Sequence, residues 1–215
     1  MKPIFSKNIN KLLMFIPLVI AIGGGFVTFF VWYYMSPYYY EVGYVPKQPI
    51  QYSHALHAGE LGIDCRYCHA TVDKDFTASI PSTATCMNCH TLIKSDSEKI
   101  APLKYSYDNN LPVEWVRVHD LPDYSKFNHA VHIKAQIGCA SCHGDVQNME
   151  VVYKAQPLSM GWCLDCHRNP QKHVRPKSEI YNTSWKPGKD HQQWAEKFVK
   201  ENNIKGPENC TACHY

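Results

Sequence analysis

The pattern C-x-x-C-H constrains this chain more than any other feature, because it occurs five times and uses every cysteine. The five copies are CRYCH at 65–69, CMNCH at 86–90, CASCH at 139–143, CLDCH at 163–167 and CTACH at 210–214. With 10 Cys and 12 His in 215 residues, the residue frequencies predict only about 0.03 chance matches. One chemical role shared by all five copies is therefore expected.

A C-x-x-C-H motif is typical of covalent c-type haem attachment. Two thiols three positions apart can form thioethers with the two vinyl groups of one haem, while the adjoining histidine binds the iron. We therefore predict five haem c cofactors. The predicted thioether residues are Cys65, Cys68, Cys86, Cys89, Cys139, Cys142, Cys163, Cys166, Cys210 and Cys213, and the predicted proximal iron ligands are His69, His90, His143, His167 and His214.

Other uses of paired cysteines explain the pattern less well. Structural zinc needs two cysteine pairs or an H-x-x-x-H partner for each site, and it gives no reason for a histidine after every pair. Disulfides suit an exported protein with an even number of cysteines, but they do not require the histidines either. A thioredoxin-like redox pair would be expected once, near a βαβ pattern.

Two H-x-x-H segments precede attachment motifs, in QYSHALHAGELGIDCRYCH at 51–69 and in FNHAVHIKAQIGCASCH at 127–143. Residues at i and i+3 share one face of a helical turn, so each segment can offer distal ligands to two neighbouring irons. Ordinary surface histidines are the alternative, which the duplication disfavours. The predicted distal ligands from these segments are His54, His57, His129 and His132.

The fifth distal ligand is open. His119 stands alone in WVRVHDLPDY and would complete the set if all sites are bis-histidine. Met149 and Met160 are weaker candidates, because packing against a porphyrin edge is the expected role of both. Either one, as a ligand opposite histidine, would raise the potential of its haem. His173 and His191 lie in polar, Lys-rich surroundings and are expected to be solvated.

The N-terminal segment predicts a membrane anchor. No charged residue occurs from Leu12 to Tyr40, which is long enough to cross about 30 Å of hydrocarbon. Lysines precede the apolar stretch and aromatic residues crowd its far end, so we expect a cytoplasmic N-terminus and a periplasmic haem domain, in the cytoplasmic (inner) membrane of a bacterium. A cleaved signal peptide is the competing interpretation, but the stretch is too long and no A-x-A site follows. The run Gly23, Gly24, Gly25 suggests a helical partner in the bilayer.

Composition excludes several classes of function. The net charge of +3 is too small to predict binding to nucleic acid. The chain has no Walker loop, G-x-G-x-x-G pattern or serine nucleophile motif, so nothing predicts phosphate, nicotinamide or acyl-transfer chemistry. Residues 41–215 have no long apolar periodic segment, which predicts short helices and turns around haems that supply the core.

Motif spacing predicts the organisation of the chain and an internal duplication. We expect an anchor at 1–40, a first dihaem module at 41–95, a connector at 96–125, a second dihaem module at 126–170, and a linker with a short helix and the fifth site at 171–215. In DHQQWAEKFVKENN, the residues Trp194, Phe198 and Val199 fall on one helical side.

Nearly the whole chain resembles a known family. H-x-x-H followed by closely spaced C-x-x-C-H motifs resembles the class III multihaem cytochromes c. The N-terminal span, five motifs, VRVHDLPDYSKFNHAVH and PLSMGWCLDCHRNP are together similar to the pentahaem, membrane-anchored cytochrome c subunit of alternative complex III. The resemblance implies a mainly α fold with much irregular coil: one N-terminal transmembrane helix and a multihaem cytochrome c domain. It also supports bis-histidine ligation of most haems.

The family also implies partners: a large iron–sulfur subunit related to molybdopterin enzymes, polytopic quinol-binding subunits, and a soluble or monohaem cytochrome c or terminal oxidase as acceptor. We expect a non-catalytic electron-transfer subunit that relays electrons from quinol oxidation. The main alternative is a membrane-anchored multihaem quinol dehydrogenase that feeds a periplasmic reductase. A self-standing electron-storage cytochrome and a ligand-sensing haem protein with an open coordination site are further alternatives.

Overall fold

The structure, a computed structural model, describes residues 7–36 and 39–215. Two compact units divide the chain, Met1–Val42 and Gly43–Tyr215. Within the described residues there is one isolated β-bridge, between Ile137 and Val174, and no β-strand. The expected fold of helices and irregular coil is therefore confirmed. The helices are α1 (Lys7–Tyr34), α2 (Cys65–Cys68), α3 (Thr83–His90), α4 (Ala101–Asp108), α5 (His129–Lys134), α6 (Ala140–His143), α7 (Met160–Arg168) and α8 (His191–Glu201).

Helix α1 dominates the first unit. Its Lys11–Tyr34 portion is 24 residues long with a mean hydropathy of 2.3, which makes it long and apolar enough to cross a membrane. Rings four residues apart form a ladder at its C-terminal end, with centroids 5.1 Å apart for Phe26 and Phe30 and 5.1 Å apart for Phe30 and Tyr34. A Cβ atom at any residue of 23–25 would meet nothing within 4 Å. A bilayer partner at this glycine run stays a prediction.

The second unit has a thin polypeptide core. Its main buried cluster consists of Ile137, Val174 and Ala195. Helix α8 packs against this cluster through Trp194, Phe198 and Val199, which confirms the face predicted for DHQQWAEKFVKENN. Few other apolar side chains are buried among the described residues, namely Val72, Met87, Leu103, Ala130, Met149 and Ile180. Such limited burial fits a domain whose interior is completed by covalently attached haem.

The two H-x-x-H segments differ by one residue, and the backbone absorbs the difference. From the second histidine to the first cysteine of the next motif, the chain advances eight residues in the first segment and seven in the second. Helix α5 carries the second segment, whereas the first continues into a π-helical turn, Ala55–Glu60. A π turn is how a helix accommodates one inserted residue. Both segments then turn through a positive φ, 64° at Gly62 and 60° at Gln136.

The π turn packs against a 3₁₀ turn that follows the third motif, Val146–Asn148. Gly59 makes this close approach possible, because a Cβ atom there would lie 2.8 Å from the carbonyl oxygen of Gln147. The Ala55 N–H donates to the Met149 carbonyl oxygen at 3.0 Å. These contacts place the first H-x-x-H segment beside the third attachment motif.

Candidate haem sites

Each attachment motif lies on a helical turn. Helices α2, α3, α6 and α7 carry the first four motifs, and a 3₁₀ turn, Cys210–Ala212, carries the fifth. In each helical motif the two cysteines lie three positions apart and so share one face. All ten cysteines are free thiols that are half-buried or exposed. Local structure thus presents both thiols of a motif to one side, as two thioethers to a single porphyrin require.

Backbone carbonyl groups hold four of the five predicted proximal imidazoles. A carbonyl oxygen can only accept, so the ring Nδ1 in each of these bonds carries the proton and Nε2 is left with a lone pair. A hydrogen bond from the other ring nitrogen is how proteins orient an imidazole that binds a metal. The bonds join His69 to Ser79 (2.7 Å), His90 to Ile93 (2.9 Å), His167 to Pro207 (2.6 Å) and His214 to Tyr124 (2.8 Å).

Three of the predicted distal imidazoles are held in the same way. The Nδ1 of His57 donates to the Ser53 carbonyl oxygen at 2.8 Å, and the Nδ1 of His132 donates to the equivalent Asn128 carbonyl oxygen at 2.7 Å. Both bonds reach back four residues along the chain. The Nδ1 of His129 donates to the Phe76 carbonyl oxygen at 2.8 Å. In all three rings Nε2 is therefore the nitrogen with a free lone pair.

Three pairs of imidazole rings have the centroid separation that one metal ion between them requires. Two opposed imidazoles, each about 2 Å from a metal and with about 1.1 Å from nitrogen to ring centre, have centroids roughly 6.2 Å apart. The rings meet this distance in three pairs of predicted distal and proximal ligands. These are His57 and His90 at 6.2 Å, His129 and His143 at 6.4 Å, and His132 and His167 at 6.2 Å.

These pairs match the expectation that one H-x-x-H segment serves two irons. His129 faces the motif at 139–143 and His132 faces the motif at 163–167. In the first segment the His57 ring lies 6.2 Å from that of His90, in the motif at 86–90, and burial and then His69 lower the pKa of His54. The residues present thus fit haem iron, and the ligand assignments themselves stay predictions.

An aromatic side chain supports each H-x-x-H segment, two residues before its first histidine. The Tyr52 ring stacks on His57 with centroids 4.5 Å apart and meets the edge of His54 at 4.8 Å. Phe127 repeats this arrangement at 4.3 Å from His132 and 4.8 Å from His129. These supporting residues were missed in the sequence, although an aromatic residue at the same offset in both segments was a usable signal.

The first, second and third motifs are neighbours in an order different from their order in the sequence. Burial raises the pKa of Cys68, and the nearby Cys86 raises it further. Burial also raises the pKa of Cys139 to about 11, with Cys65 as the next cause. The first motif is therefore next to both the second and the third, and Asn88 of the second motif donates to the Tyr67 hydroxyl of the first at 3.1 Å.

The third, fourth and fifth motifs continue this row. Burial raises the pKa of Cys142 to about 12, and both cysteines of the fourth motif, Cys166 and Cys163, add to the shift. Burial raises the pKa of Cys163, with Cys213 of the fifth motif as the next cause. From neighbour to neighbour, the row runs through 86–90, 65–69, 139–143, 163–167 and 210–214.

Burial keeps the central imidazoles neutral. Desolvation lowers the pKa of His143 to about 3, and the imidazole of His119 adds to this effect. Desolvation also lowers the pKa of His54 to about 4, with smaller effects from His69 and His57. A neutral imidazole is the form that binds a metal. The Nδ1 atom of His54 is buried without a hydrogen-bond partner.

His119 lies beside the third motif. Its ring meets His143 edge-on at a centroid distance of 4.3 Å, and its Nε2 is buried without a hydrogen-bond partner. Among the described residues, the aromatic ring next to His214 is Tyr124, at 5.8 Å, rather than an imidazole. The structure therefore does not bring His119 and His214 together as an opposed pair, and the fifth distal ligand stays open.

The remaining histidine and methionine candidates have distinct surroundings. Met149 is buried with 6% exposure, which fits a packing role, whereas Met160 is 64% exposed. The expectation that His173 and His191 are solvated is wrong, because both are half-buried. The His191 ring lies between Trp185 at 4.9 Å and Trp194 at 5.3 Å, so aromatic packing at the start of α8 outweighs its polar sequence context.

A segment at 175–185 crosses the first and third motifs, and the sequence provided no signal for it. The Cys139 N–H donates to the Ile180 carbonyl oxygen at 3.1 Å. Asp145 accepts hydrogen bonds from Thr183 at 2.9 Å and Ser184 at 2.8 Å. The Arg66 guanidinium lies over the Tyr181 ring at 4.6 Å. The segment therefore fixes the backbone around two adjacent attachment sites.

Comparison with known proteins agrees with these features. Residues 125–215 match the family described as cytochrome c7 and related cytochrome c. The chain is also similar to a menaquinone reductase, multihaem cytochrome c subunit, from Nitratidesulfovibrio vulgaris (strain Hildenborough). The two are 29% identical over 144 residues, which cover 57% of this chain and 69% of that protein.

Over residues 125–215 the attachment motifs and the family match agree, so this region is similar to multihaem cytochrome c domains, which bind c-type haem and serve electron transport. The matched region, 125–215, includes the second H-x-x-H segment and the last three attachment motifs.

Proposed function

We propose that this chain is the electron-relay subunit of a membrane-bound quinol or quinone oxidoreductase and carries five c-type haems. The observation that carries the proposal is the set of three imidazole pairs, with ring centroids 6.2 to 6.4 Å apart, at neighbouring attachment motifs. Haem, when bound, supplies one-electron chemistry between ferric and ferrous iron.

The chain's own contribution is to hold rings, exclude water and adjust potentials. Ten cysteines would tether the porphyrins, five motif histidines would be proximal ligands, and His54, His57, His129 and His132 would be distal ligands. Two imidazoles on one iron leave the potential lower than a histidine and methionine pair does. Carbonyl groups on Nδ1 make the imidazole a stronger donor, which acts in the same direction.

The ends of the row are the natural places for exchange with partners. Cys89 in the second motif and Cys210 in the fifth are exposed, whereas the other eight cysteines are half-buried. Leu92, two residues after the second motif, is 87% exposed, and Tyr215, directly after the fifth, is 68% exposed. We infer that redox partners meet the chain at these two terminal motifs.

The partner complex follows from the similar protein and from the anchor. The relative's name describes a cytochrome subunit of a menaquinone reductase, and α1 is long enough to hold this chain in a membrane. We therefore propose partners of the kind implied by alternative complex III: a large iron–sulfur, molybdopterin-like subunit, polytopic quinol-binding subunits, and a cytochrome c or terminal oxidase. In this arrangement the haem domain lies in the periplasm, and this chain itself catalyses no quinol reaction.

Extraction of the native assembly in mild detergent tests the proposal. We expect the chain to co-purify with a large redox subunit and polytopic membrane proteins, and its mass to equal the polypeptide plus five haems. The purified chain alone should not oxidise quinol, while the assembly should exchange electrons with it. Quinol oxidation by the isolated chain would contradict the relay role and favour the quinol dehydrogenase alternative. Migration of the chain alone would contradict the assembly and favour a self-standing electron-storage cytochrome.

A further inference from the structure

The ring planes of the predicted ligand pairs are not all oriented alike. In two of the three pairs the rings are close to parallel, namely His129 with His143, at 13°, and His132 with His167, at 29°. The rings of His57 and His90, whose centroids are 6.2 Å apart, cross at 63°. The attachment site at 86–90 therefore differs in geometry from the two sites with near-parallel rings.

The distal ring of the crossed pair does not explain the difference. His57 and His132 have the same support, because Nδ1 of each ring donates to a carbonyl oxygen four residues back in the chain. An aromatic ring stacks on each of them at a similar angle, 23° for Tyr52 on His57 and 29° for Phe127 on His132. The local support of the distal ring is thus the same in both segments.

The proximal ring of the crossed pair, His90, has its acceptor in the turn that directly follows it. Its Nδ1 donates to the Ile93 carbonyl oxygen at 2.9 Å, three residues further along the chain. The other proximal rings held by carbonyl groups have acceptors 10, 40 and 90 positions away. The orientation of the His90 ring therefore depends on the backbone of one short turn rather than on the packing of distant segments.

Lys94 sets the direction of this carbonyl group. The peptide plane between Ile93 and Lys94 contains the acceptor, and its orientation depends on φ of Lys94. This φ is 54°, in the left-handed region, which is unfavourable for a residue with a Cβ atom. The turn is held on both sides, since the Ile93 N–H donates to the Cys89 carbonyl oxygen at 2.8 Å and the Ser97 N–H to the Lys94 carbonyl oxygen at 3.0 Å. The Lys94 side chain itself is exposed.

The angle between two imidazole planes determines how the rings act on one ferric iron. Each ring donates π-electron density to the iron d orbital whose lobes point out of the ring plane. Parallel rings raise the energy of the same d orbital, so two d orbitals separate in energy and the EPR spectrum is rhombic. Crossed rings each raise a different d orbital, so the two orbitals stay close in energy and the largest g value is higher.

We propose that Lys94, through its left-handed backbone, is a positioning residue for the His90 ring and holds it across the plane of His57. The iron at 86–90 then has crossed ligand planes and an electronic state different from that of the sites with near-parallel rings. The inference rests on the proposed function, because it requires His57 and His90 to bind one haem iron.

EPR spectroscopy of the fully oxidised, haem-loaded chain tests this role. We expect the unaltered chain to give a low-spin ferric signal whose largest g value lies above those of the near-parallel sites. Lys94→Val should shift this signal and leave the others in place, because a β-branched residue rarely adopts a positive φ and the Ile93 carbonyl group then turns away from His90. Lys94→Gly should keep the signal, since glycine adopts a positive φ readily.

Asn110→Val is the matched control. Asn110 is also exposed and has a φ of 53°, but it belongs to a different turn, at the end of α4, so its replacement should leave every signal in place. If Lys94→Val does not accumulate, Lys94→Ala imposes a smaller penalty and should transfer part of the signal to a new position.

Three results would overturn the role of Lys94. They are a haem-loaded unaltered chain without the high-g signal, a haem-loaded Lys94→Val protein with an unchanged spectrum, and an equal shift in Asn110→Val. Mass analysis of the same samples separates the two proposals. Bare polypeptide defeats the proposed function, whereas five attached haems with no response to Lys94→Val defeat only this inference.

Discussion

The substitution Gly206→Ala tests whether close backbone packing fixes the hydrogen bond between His167, a predicted proximal ligand, and a backbone carbonyl group. The segment that contains Gly206 lies directly against His167. An ideal Cβ atom at position 206 would lie 2.4 Å from the Cβ of His167 and 2.5 Å from both its Cα and its Cγ. Contacts this short do not occur between real Cβ atoms, and the atoms that would clash include backbone, so Gly206→Ala must push the two segments apart.

The displaced group is the acceptor of the ligand's hydrogen bond. The Pro207 carbonyl oxygen, one residue further along, accepts from Nδ1 of His167 at 2.6 Å. A typical hydrogen bond contributes about 1 kcal/mol net. The hydrogen bond makes the imidazole a stronger electron donor, which favours ferric iron. Loss of about 1 kcal/mol of this stabilisation raises the potential of one haem by about 40 mV for one electron.

Spectroelectrochemical titration of the haem-loaded chain measures this shift. Gly188→Ala is the matched control, because a Cβ atom there meets nothing within 4 Å. We expect one of the resolved midpoint potentials to rise in Gly206→Ala and none to change in Gly188→Ala. A fully loaded Gly206→Ala protein with all potentials unchanged would refute the reasoning, since the hydrogen bond would then be either intact despite the clash or irrelevant to the iron.

Three further perturbations test other parts of the structure. In the same titration, His132→Met should raise the potential of one haem by at least about 59 mV, which is a tenfold change in its reduction equilibrium. An unchanged set of potentials would contradict the pairing of His132 with His167 on one iron. Val174→Ala should lower the free energy of unfolding by about 2 kcal/mol in denaturant titrations, because the side chain is 1% exposed, while the exposed Val45→Ala should change it by less than about 0.5 kcal/mol. The hydrogen bond from Asn148 is the main reason that the pKa of Asp145 lies below its ordinary value. The ionised carboxylate therefore stabilises the fold at pH values above the ordinary pKa, and this contribution is lost as the pH falls through the lowered pKa. Asp145→Asn should make stability depend less on pH at acid pH, and an identical pH dependence in both proteins would count against this role.

The parts of the site that depend on short stretches of chain could be predicted from the sequence. Paired thiols with an adjoining histidine are a local pattern, and helical turns such as α7 then place both cysteines on one face. The H-x-x-H segments are equally local. The rings of His57 and His90, and those of His132 and His167, have the centroid separation expected of distal and proximal ligands on one iron. The apolar length of α1 needed no knowledge of other parts of the chain.

Contacts between distant segments could not be predicted, because nothing in the local sequence encodes them. His119 was a candidate for the fifth distal ligand with no iron assigned to it, and only the fold shows that its ring lies against His143. The acceptor for His167 comes from Pro207, 40 positions away. The one-residue insertion before Cys65 was visible in the spacing, yet only the backbone shows that a π turn absorbs it.

The sequence by itself determined how many attachment motifs the chain carries, which side chains can bind their cofactors, and that an apolar span precedes them, since these depend on residue type and short spacing. Only the tertiary structure decided that the first motif is next to both the second and the third, which carbonyl group holds each of seven imidazoles, and that His119 lies against His143. The physical reason is that covalent attachment acts within five consecutive residues, whereas the order of neighbouring motifs, hydrogen bonds to imidazoles from distant carbonyl groups, and burial arise only when segments far apart in the chain pack together.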